Sequence, residues 1–258
     1  MGGFLHYLAT GEILKENTVS ESIHDKYLFK AVFMAGGGGS GKSFIADLMF
    51  KGMPVKVINA DDLIPPIFSK RGLSLDMTGD EELYKKQMEA RDKAKELTGK
   101  KEMQWVKGML PLIIDGTGKS IEKIGRAKSW LENIGYDTAM VFVNTSLEIA
   151  LQRNIERGEH GGRKVKEDIA KEAWHDAQEN MGEFQKMFSD NFLIVDNSKQ
   201  LTPEEIRKLQ LDLTRKAMKL IESPLKNSVG KKKLEEFDKG QRKGIYLTDD
   251  EIVKPAKK

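Results

Sequence analysis

A lysine and a serine closing a run of glycines, Gly36-Gly37-Gly38-Gly39-Ser40-Gly41-Lys42-Ser43, are the residues of this chain best suited to hold a phosphate. The glycines let successive backbone N–H groups turn into one concavity, and a helix starting there adds the positive end of its dipole. Lys42 brings a full charge to the β- and γ-phosphates of a nucleotide, and the Ser43 hydroxyl is a ligand for Mg²⁺. The stretch fits G-x-x-x-x-G-K-[ST] at every fixed position. A flexible glycine linker needs neither the Lys-Ser nor the apolar Lys30-Ala31-Val32-Phe33-Met34-Ala35 before it. The dinucleotide fingerprint is also contained in it, as Gly36-x-Gly38-x-x-Gly41 with Asp61 about 20 residues on, but such a site has no use for Lys42-Ser43.

What faces the γ-phosphate decides whether a nucleotide is hydrolysed, transferred or sensed. Asp115 ends an apolar run and is followed by Gly116-Thr117-Gly118, with no Glu beside it to activate a water. An acidic pair, Asp61-Asp62, instead ends the strand after the phosphate loop, where a carboxylate can take the proton of an attacking hydroxyl. That favours transfer. The plainer role for either aspartate is a cap or a turn. Arg153 and Arg157 stand four apart, on one helical face, and lead through Gly158 and Gly161-Gly162 to Arg163. Arginines on a glycine-punctuated segment can close as a lid over the phosphoryl group; otherwise they form a salt-bridged helix face with Glu148 and Glu156.

These residues need a scaffold, and the hydrophobic pattern supplies one. The spacing predicts strands at 30–35, 55–59, 110–115, 139–143 and 191–196. Helices are expected after the loop, over 80–97, over 120–133, from a Thr145-x-x-Glu148 capping box through Arg157, along 165–188, and from the Thr202-Pro203-Glu204-Glu205 start. Pro65-Pro66 is expected to forbid a regular element. Alternating strand and helix means an α/β fold, a doubly wound, mostly parallel five-stranded sheet with a helical lid. Ligands of such sheets sit beyond the carboxyl ends of the strands, where the phosphate loop, Asp61-Asp62 and Asp115 all fall. Residues 1–29 read as an N-terminal extension with one short helix around Phe4–Leu14, residues 30–223 as the main domain, and residues 224–258 as a basic C-terminal tail.

Composition narrows the class. The chain has 258 residues, 32% of them charged, and no cysteine, which excludes disulfides, thiolate zinc and a cysteine nucleophile. The four scattered histidines have no metal-ligand spacing. Mean hydropathy is −0.50, and no apolar run approaches the ~18 residues of a membrane span. The expectation is a cytoplasmic protein with no membrane partner. Net charge is +3, and residues 224–258 hold ten Lys/Arg against six Asp/Glu, so the positive surplus is in the tail, around Lys231-Lys232-Lys233, Arg242-Lys243 and Lys257-Lys258. A solvated extension is the plain reading of that tail; a nucleic-acid contact is the functional one.

The order and spacing of four segments then carry a resemblance. The phosphate loop, Ile58-Asn59-x-Asp61-Asp62, the apolar strand with Asp115-Gly116-Thr117, and Arg153-Asn154-x-x-Arg157-Gly158 followed by Val165 resemble the polynucleotide kinase branch of the P-loop kinases, with zeta-toxin-like kinases close by. The resemblance covers roughly residues 30–200. It implies that Lys42 and Ser43 handle phosphates and Mg²⁺, that Asp61 is the general base, and that Asp115 lies in the acceptor or metal shell. Arg153 and Arg157 become the lid that grips the phosphates, joined by Arg163. Polynucleotide kinases carry an acceptor-binding Arg three positions after the base, where this chain has Ile64; Asp62 and, from the following loop, Lys70 or Arg71 are the acceptor-side candidates.

The reading that results is a P-loop, Mg²⁺- and ATP-dependent kinase. It moves the γ-phosphate to a hydroxyl of a nucleic-acid (DNA or RNA) or nucleotide acceptor, with a sugar nucleotide or small molecule as the alternative. A non-catalytic nucleotide switch is the rival from another class; loss of the acidic pair leaves a switch intact and silences a kinase. A dehydrogenase is the remote third.

Overall fold

A computed structural model describes residues 25–240 and 246–254. The short helix expected around Phe4–Leu14, and the basic residues Arg242, Lys243, Lys257 and Lys258, lie outside the described residues. In chain order the elements are β1 (Lys30–Ala35), α1 (Lys42–Phe50), β2 (Lys56–Ile58), a 3₁₀ turn (Ala60–Leu63), α2 (Ile64–Lys70) and α3 (Glu81–Lys107). Then come β3 (Leu112–Asp115), α4 (Ile121–Ile134), β4 (Asp137–Asn144), α5 (Leu147–Glu159), α6 (Glu167–Phe188), β5 (Phe192–Asp196), α7 (Pro203–Ile221) and α8 (Ser228–Asp238).

The sheet is five-stranded and parallel throughout, in the order β2-β3-β1-β4-β5. Every residue of β1 is buried, as a central strand covered on both faces must be, and its side chains divide by parity. Ala31, Phe33 and Ala35 join a core with Trp105 of α3, Trp130 and Leu131 of α4, and Phe184 and Phe188 of α6. Val32 and Met34 join the opposite core with Ile45 and Met49 of α1 and Leu213, Ala217 and Ile221 of α7. The chain leaves β1 toward β2 and β3 on one side and reaches β4 and β5 on the other, which makes the carboxyl end of β1 the switch point. In a dinucleotide fold β2 pairs with β1; here β3 lies between them, which sets this chain apart from the dehydrogenase reading. Lys30, inside the apolar run, is 1% exposed and donates to Asp137 Oδ2 at 2.8 Å, the residue beside it in register on β4.

Several local expectations change. Pro65 and Pro66 do not forbid a helix: they stand in the first turn of α2, where a missing N–H costs no hydrogen bond. The helix expected to stop near Leu97 runs on to Lys107, so Trp105 and Val106 are helical and buried. The N-cap of α5 is Ser146, whose hydroxyl accepts from Ile149 N, and Thr145 instead donates to the Asn197 carbonyl at 3.3 Å. The capping box at Thr202 and Glu205 forms as read, with Pro203 in the first turn.

The largest difference is the tail. Residues 228–238 form α8, capped by Asn227, and Phe237, Leu247 and Ile252 are buried in the core beneath α4. Leu247 N donates to the Lys107 carbonyl at 2.8 Å, and Trp130 Nε1 donates to the Ile252 carbonyl at 3.3 Å. The boundary expected after residue 223 therefore falls inside the folded body. Isolated apolar residues among lysines carry no period long enough to announce this; what buries them is a hydrophobic face offered by distant α4.

Candidate active site

The phosphate loop is shaped by close approach as much as by backbone torsion. Gly39 has φ +80°, and a Cβ there lies 2.2 Å from the Ala150 carbonyl oxygen at the start of α5; no side chain fits. Gly38 is the opposite case, since a Cβ on it meets nothing within 4 Å, so this side of the loop opens outward. Asn197, just past β5, donates from Nδ2 to the Ser40 carbonyl at 2.8 Å, and Arg153 Nη1 donates to the Gly39 carbonyl at 3.5 Å. Trp174 of α6 packs against Gly37 and is itself fixed by donating from Nε1 to the Thr145 carbonyl at 2.9 Å. Lys42 folds back over the loop and donates from Nζ to the carbonyls of Gly36 (2.9 Å) and Gly37 (3.1 Å). Ser43 follows it in the first turn of α1 and is exposed.

Across from the loop stand the carboxylates. Met34 is in register with Asp115, which places the Asp115 carboxyl just below the loop, at the end of β3. Burial pushes Asp115 up to about 6; the Lys42 ammonium works against that rise, and the charges of Asp61 and Asp62 add to it. Burial likewise lowers Lys42, with Asp115 and then Asp61 opposing. Asn59 Nδ2 donates to Asp115 Oδ2 at 3.0 Å, while Asp115 Oδ1 is buried without a protein partner. The same Asn59 accepts from Asp61 N at 2.8 Å, capping the 3₁₀ turn that carries both aspartates. Asp62 is raised, first by burial and next by Asp61.

One lid residue, Arg163, is paired with Asp61. Arg163 donates to both carboxylate oxygens of Asp61, Nη1 to Oδ1 at 2.9 Å and Nη2 to Oδ2 at 2.7 Å. Arg157 is lowered by burial with Asp61 opposing; its Nη2 donates to Asn154 Oδ1 at 3.4 Å and its Nε is buried and unpartnered. Buried Asn154 holds the segment after the glycines, donating to the Val165 carbonyl at 2.9 Å and accepting from Val165 N at 3.2 Å. Lys164 pairs with the segment between α2 and α3: its N donates to the Leu75 carbonyl at 3.3 Å, and its carbonyl accepts from Met77 N at 2.9 Å. Gln87 of α3 supports that segment by donating to the carbonyls of Ser74 and Asp76, each at 2.8 Å.

Loop, acidic pair, Asp115 and the lid arginines are thus brought together at one place. Lys70 and Arg71 are exposed at the far end of α2, about 10 Å of helix beyond its start, whereas Arg91 of α3 is within electrostatic reach of Arg163. Sequence reasoning gave no role to Asn59, Asn154, Arg91, Trp174 or Asn197. Asn59 and Asn154 stood inside the motifs already singled out, and Asn197 follows a strand end; Arg91 and Trp174 carried no signal in a single sequence.

Among the described residues no three His, Asp or Glu side chains cluster as a metal cage. Mg²⁺ takes one or two protein oxygens and fills the rest of its shell with water and phosphate. The orphaned Asp115 Oδ1 and the exposed Ser43 hydroxyl have the chemistry of such a donor set.

A protein-family model described as Zeta toxin matches residues 16–204. The chain belongs to the zeta toxin family. As a zeta toxin family member it is a P-loop kinase of the zeta-toxin-like group, in agreement with the resemblance its four motifs carry. Comparison with curated proteins gave no match. Among solved structures, this zeta toxin family member is similar to the PezAT chromosomal toxin–antitoxin system of Streptococcus pneumoniae (16% identity, 91% of this chain and 96% of that one, TM-score 0.49). It is also similar to a gluconokinase from Sinorhizobium meliloti (17%, 75% and 96%, TM-score 0.44) and to the Pnkp1/Rnl/Hen1 RNA repair complex (16%, 64% and 49%, TM-score 0.46). Among the described residues no helix is long and apolar enough to cross a membrane.

Proposed function

We propose that this zeta toxin family member transfers the γ-phosphate of ATP to a hydroxyl of a small, phosphate-bearing acceptor of the nucleotide or sugar-nucleotide type. The observation that carries the reading is the opposition of two aspartates, Asp61 and Asp115, to Lys42 at the switch point of the sheet, with no glutamate beside Asp115 to activate water. Lys42 binds the β- and γ-phosphates and Arg157 and Arg163 gather charge on the group in flight. Asp61 accepts the proton of the attacking hydroxyl, and Asp62 and Arg91 flank the acceptor. Ser43 and Asp115 would hold Mg²⁺, which would supply neutralisation of the phosphate charge.

Two features favour a small acceptor over a polynucleotide. The pairing of Lys164 with Leu75 and Met77 straps the lid to the α2–α3 segment alongside Asp61. The basic region, read from sequence as a solvated extension with a nucleic-acid contact as the alternative, is folded in part against the core, and Lys233 there is engaged by the Ile134 carbonyl and Glu251. The test is transfer of label from γ-labelled ATP, screened over nucleosides, nucleotides, sugar nucleotides, 5′-hydroxyl oligonucleotides and duplex DNA with modified bases. Label on a nucleotide or sugar nucleotide is expected. Label on an oligonucleotide alone refutes the small acceptor, and nucleotide binding with no transfer to any class returns the site to a switch.

A further inference from the structure

Asp61 cannot be base and ion-pair partner at once. Both of its oxygens receive a guanidinium hydrogen, at 2.9 and 2.7 Å, in the two-pronged geometry that makes arginine–carboxylate pairs strong. A carboxylate so engaged is a poor acceptor for a further proton, and the turn it springs from is fixed by the bond from Asp61 N to Asn59 Oδ1. The backbone around Arg163 is held by its neighbours: Lys164 is paired to Leu75 and Met77, and Val165 to Asn154. The Arg163 guanidinium can turn away from Asp61 with that strap intact. Lys42 stands in a parallel position, its ammonium occupied by two loop carbonyls. Two of the cations meant for phosphate, Lys42 and Arg163, thus have in-house partners that a phosphate must displace.

We propose that the Asp61–Arg163 pair is a latch, an inference that rests on the kinase reading above. A γ-phosphate competes with Asp61 for the Arg163 guanidinium, and the base is released only when the donor phosphate is in place. ADP has no γ-phosphate and leaves the pair closed. Arg163 is thereby a positioning residue as well as a lid residue. Its pairing makes the acceptor-side base available in step with the donor, and it protects Asp61 from serving a stray water beforehand.

The latch predicts a coupling that simple charge repulsion does not. Affinities for Mg²⁺-ADP and for the non-hydrolysable Mg²⁺-β,γ-imido-ATP are measured by calorimetry on the full chain, its D61N and R163Q variants, and the double variant. With Arg163 present, D61N should tighten imido-ATP binding by about three- to tenfold, a charge-assisted hydrogen-bond pair discounted for partial exposure. ADP binding should change less than twofold. In the R163Q background D61N should leave imido-ATP binding unchanged. Arg163→Lys keeps the charge but loses the fork and should shrink the D61N effect in the same direction, which covers the case of a misfolded R163Q. An equal gain in both backgrounds, an equal gain for ADP, or no gain overturns the latch. Failure of the unmodified chain to bind either nucleotide removes the nucleotide site and the latch with it, a result distinct from binding without coupling.

Discussion

Asn59 Nδ2 donates to Asp115 Oδ2 at 3.0 Å, so the turn that carries the acidic pair is fastened to the end of the neighbouring strand through one side-chain amide. The bond leaves Asp115 Oδ1 as the buried, unpartnered oxygen, and burial raises this carboxyl to about 6. A raised folded-state value means that Asp115 favours the folded state most fully below its ordinary 3.8, and that this contribution is lost as pH rises through about 6. Metal binding needs the ionised form. Mg²⁺-nucleotide binding should therefore release a fraction of a proton near pH 6 and almost none at pH 8, read from binding heats in buffers of different ionisation enthalpy. Asp115→Asn should abolish the release at both pH values.

Lys42→Ala should reduce label transfer by at least about two to three powers of ten, the cost expected when a preorganised charge on the reacting phosphate is removed. Its ammonium touches only loop carbonyls, so the melting temperature should shift by no more than a few degrees. Unchanged transfer would disprove the phosphate-loop assignment.

Much of this was legible in the residues. The extent of β1, the glycine loop, Asp115 at a strand end and the capped start of α7 each rest on a local signal: an unbroken apolar run, a fixed motif, or a cap with its proline. What was not legible depends on distant chain. The Thr145 cap was displaced by one residue because Asn197 competes for the Thr145 hydroxyl. Phe237, Leu247 and Ile252 are core only because α4 presents Trp130 to them. The pairing of Asp61 with Arg163 joins residues 102 apart and has no local signature.

Asp61→Asn should lower transfer to the acceptor found in the screen by about two to four powers of ten, the usual span for a lost general base. Asp62→Asn should cost far less, since Asp61 and not Asp62 is the aspartate that the lid arginine meets. Reversal of the two effects assigns the base to Asp62.

Arg157→Ala should depress the rate constant for transfer more than it weakens nucleotide binding, since a guanidinium beside the phosphoryl group acts mainly on charge that develops in the transition state. The comparison is transfer at saturation against calorimetric affinity for imido-ATP. A loss confined to affinity would make Arg157 a ground-state contact.

Leu247→Ala removes a 1%-exposed side chain from the core shared with α4 and should destabilise the protein by about 2–4 kcal/mol in chemical unfolding. Ending the chain near residue 223 should do more damage, since it strips Phe237 and Ile252 as well. A truncated chain as stable as the whole one would return this region to the status of an appendage.

The position of β1 sets a problem for biosynthesis. Its six residues form the centre of the sheet, yet Lys30 meets Asp137, its neighbour on β4, across a separation of 107 residues, and its other flank waits for Leu112. At about 5–20 residues per second, a ribosome needs roughly 5–20 s to deliver β4 after β1 has been made. During that interval a short apolar strand with two unpaired edges is exposed to other nascent chains, the condition under which strands stick to one another. Lys30, which ends up buried against Asp137, is an uncompensated charge at the strand's leading end until then, and a charge in that position disfavours premature pairing.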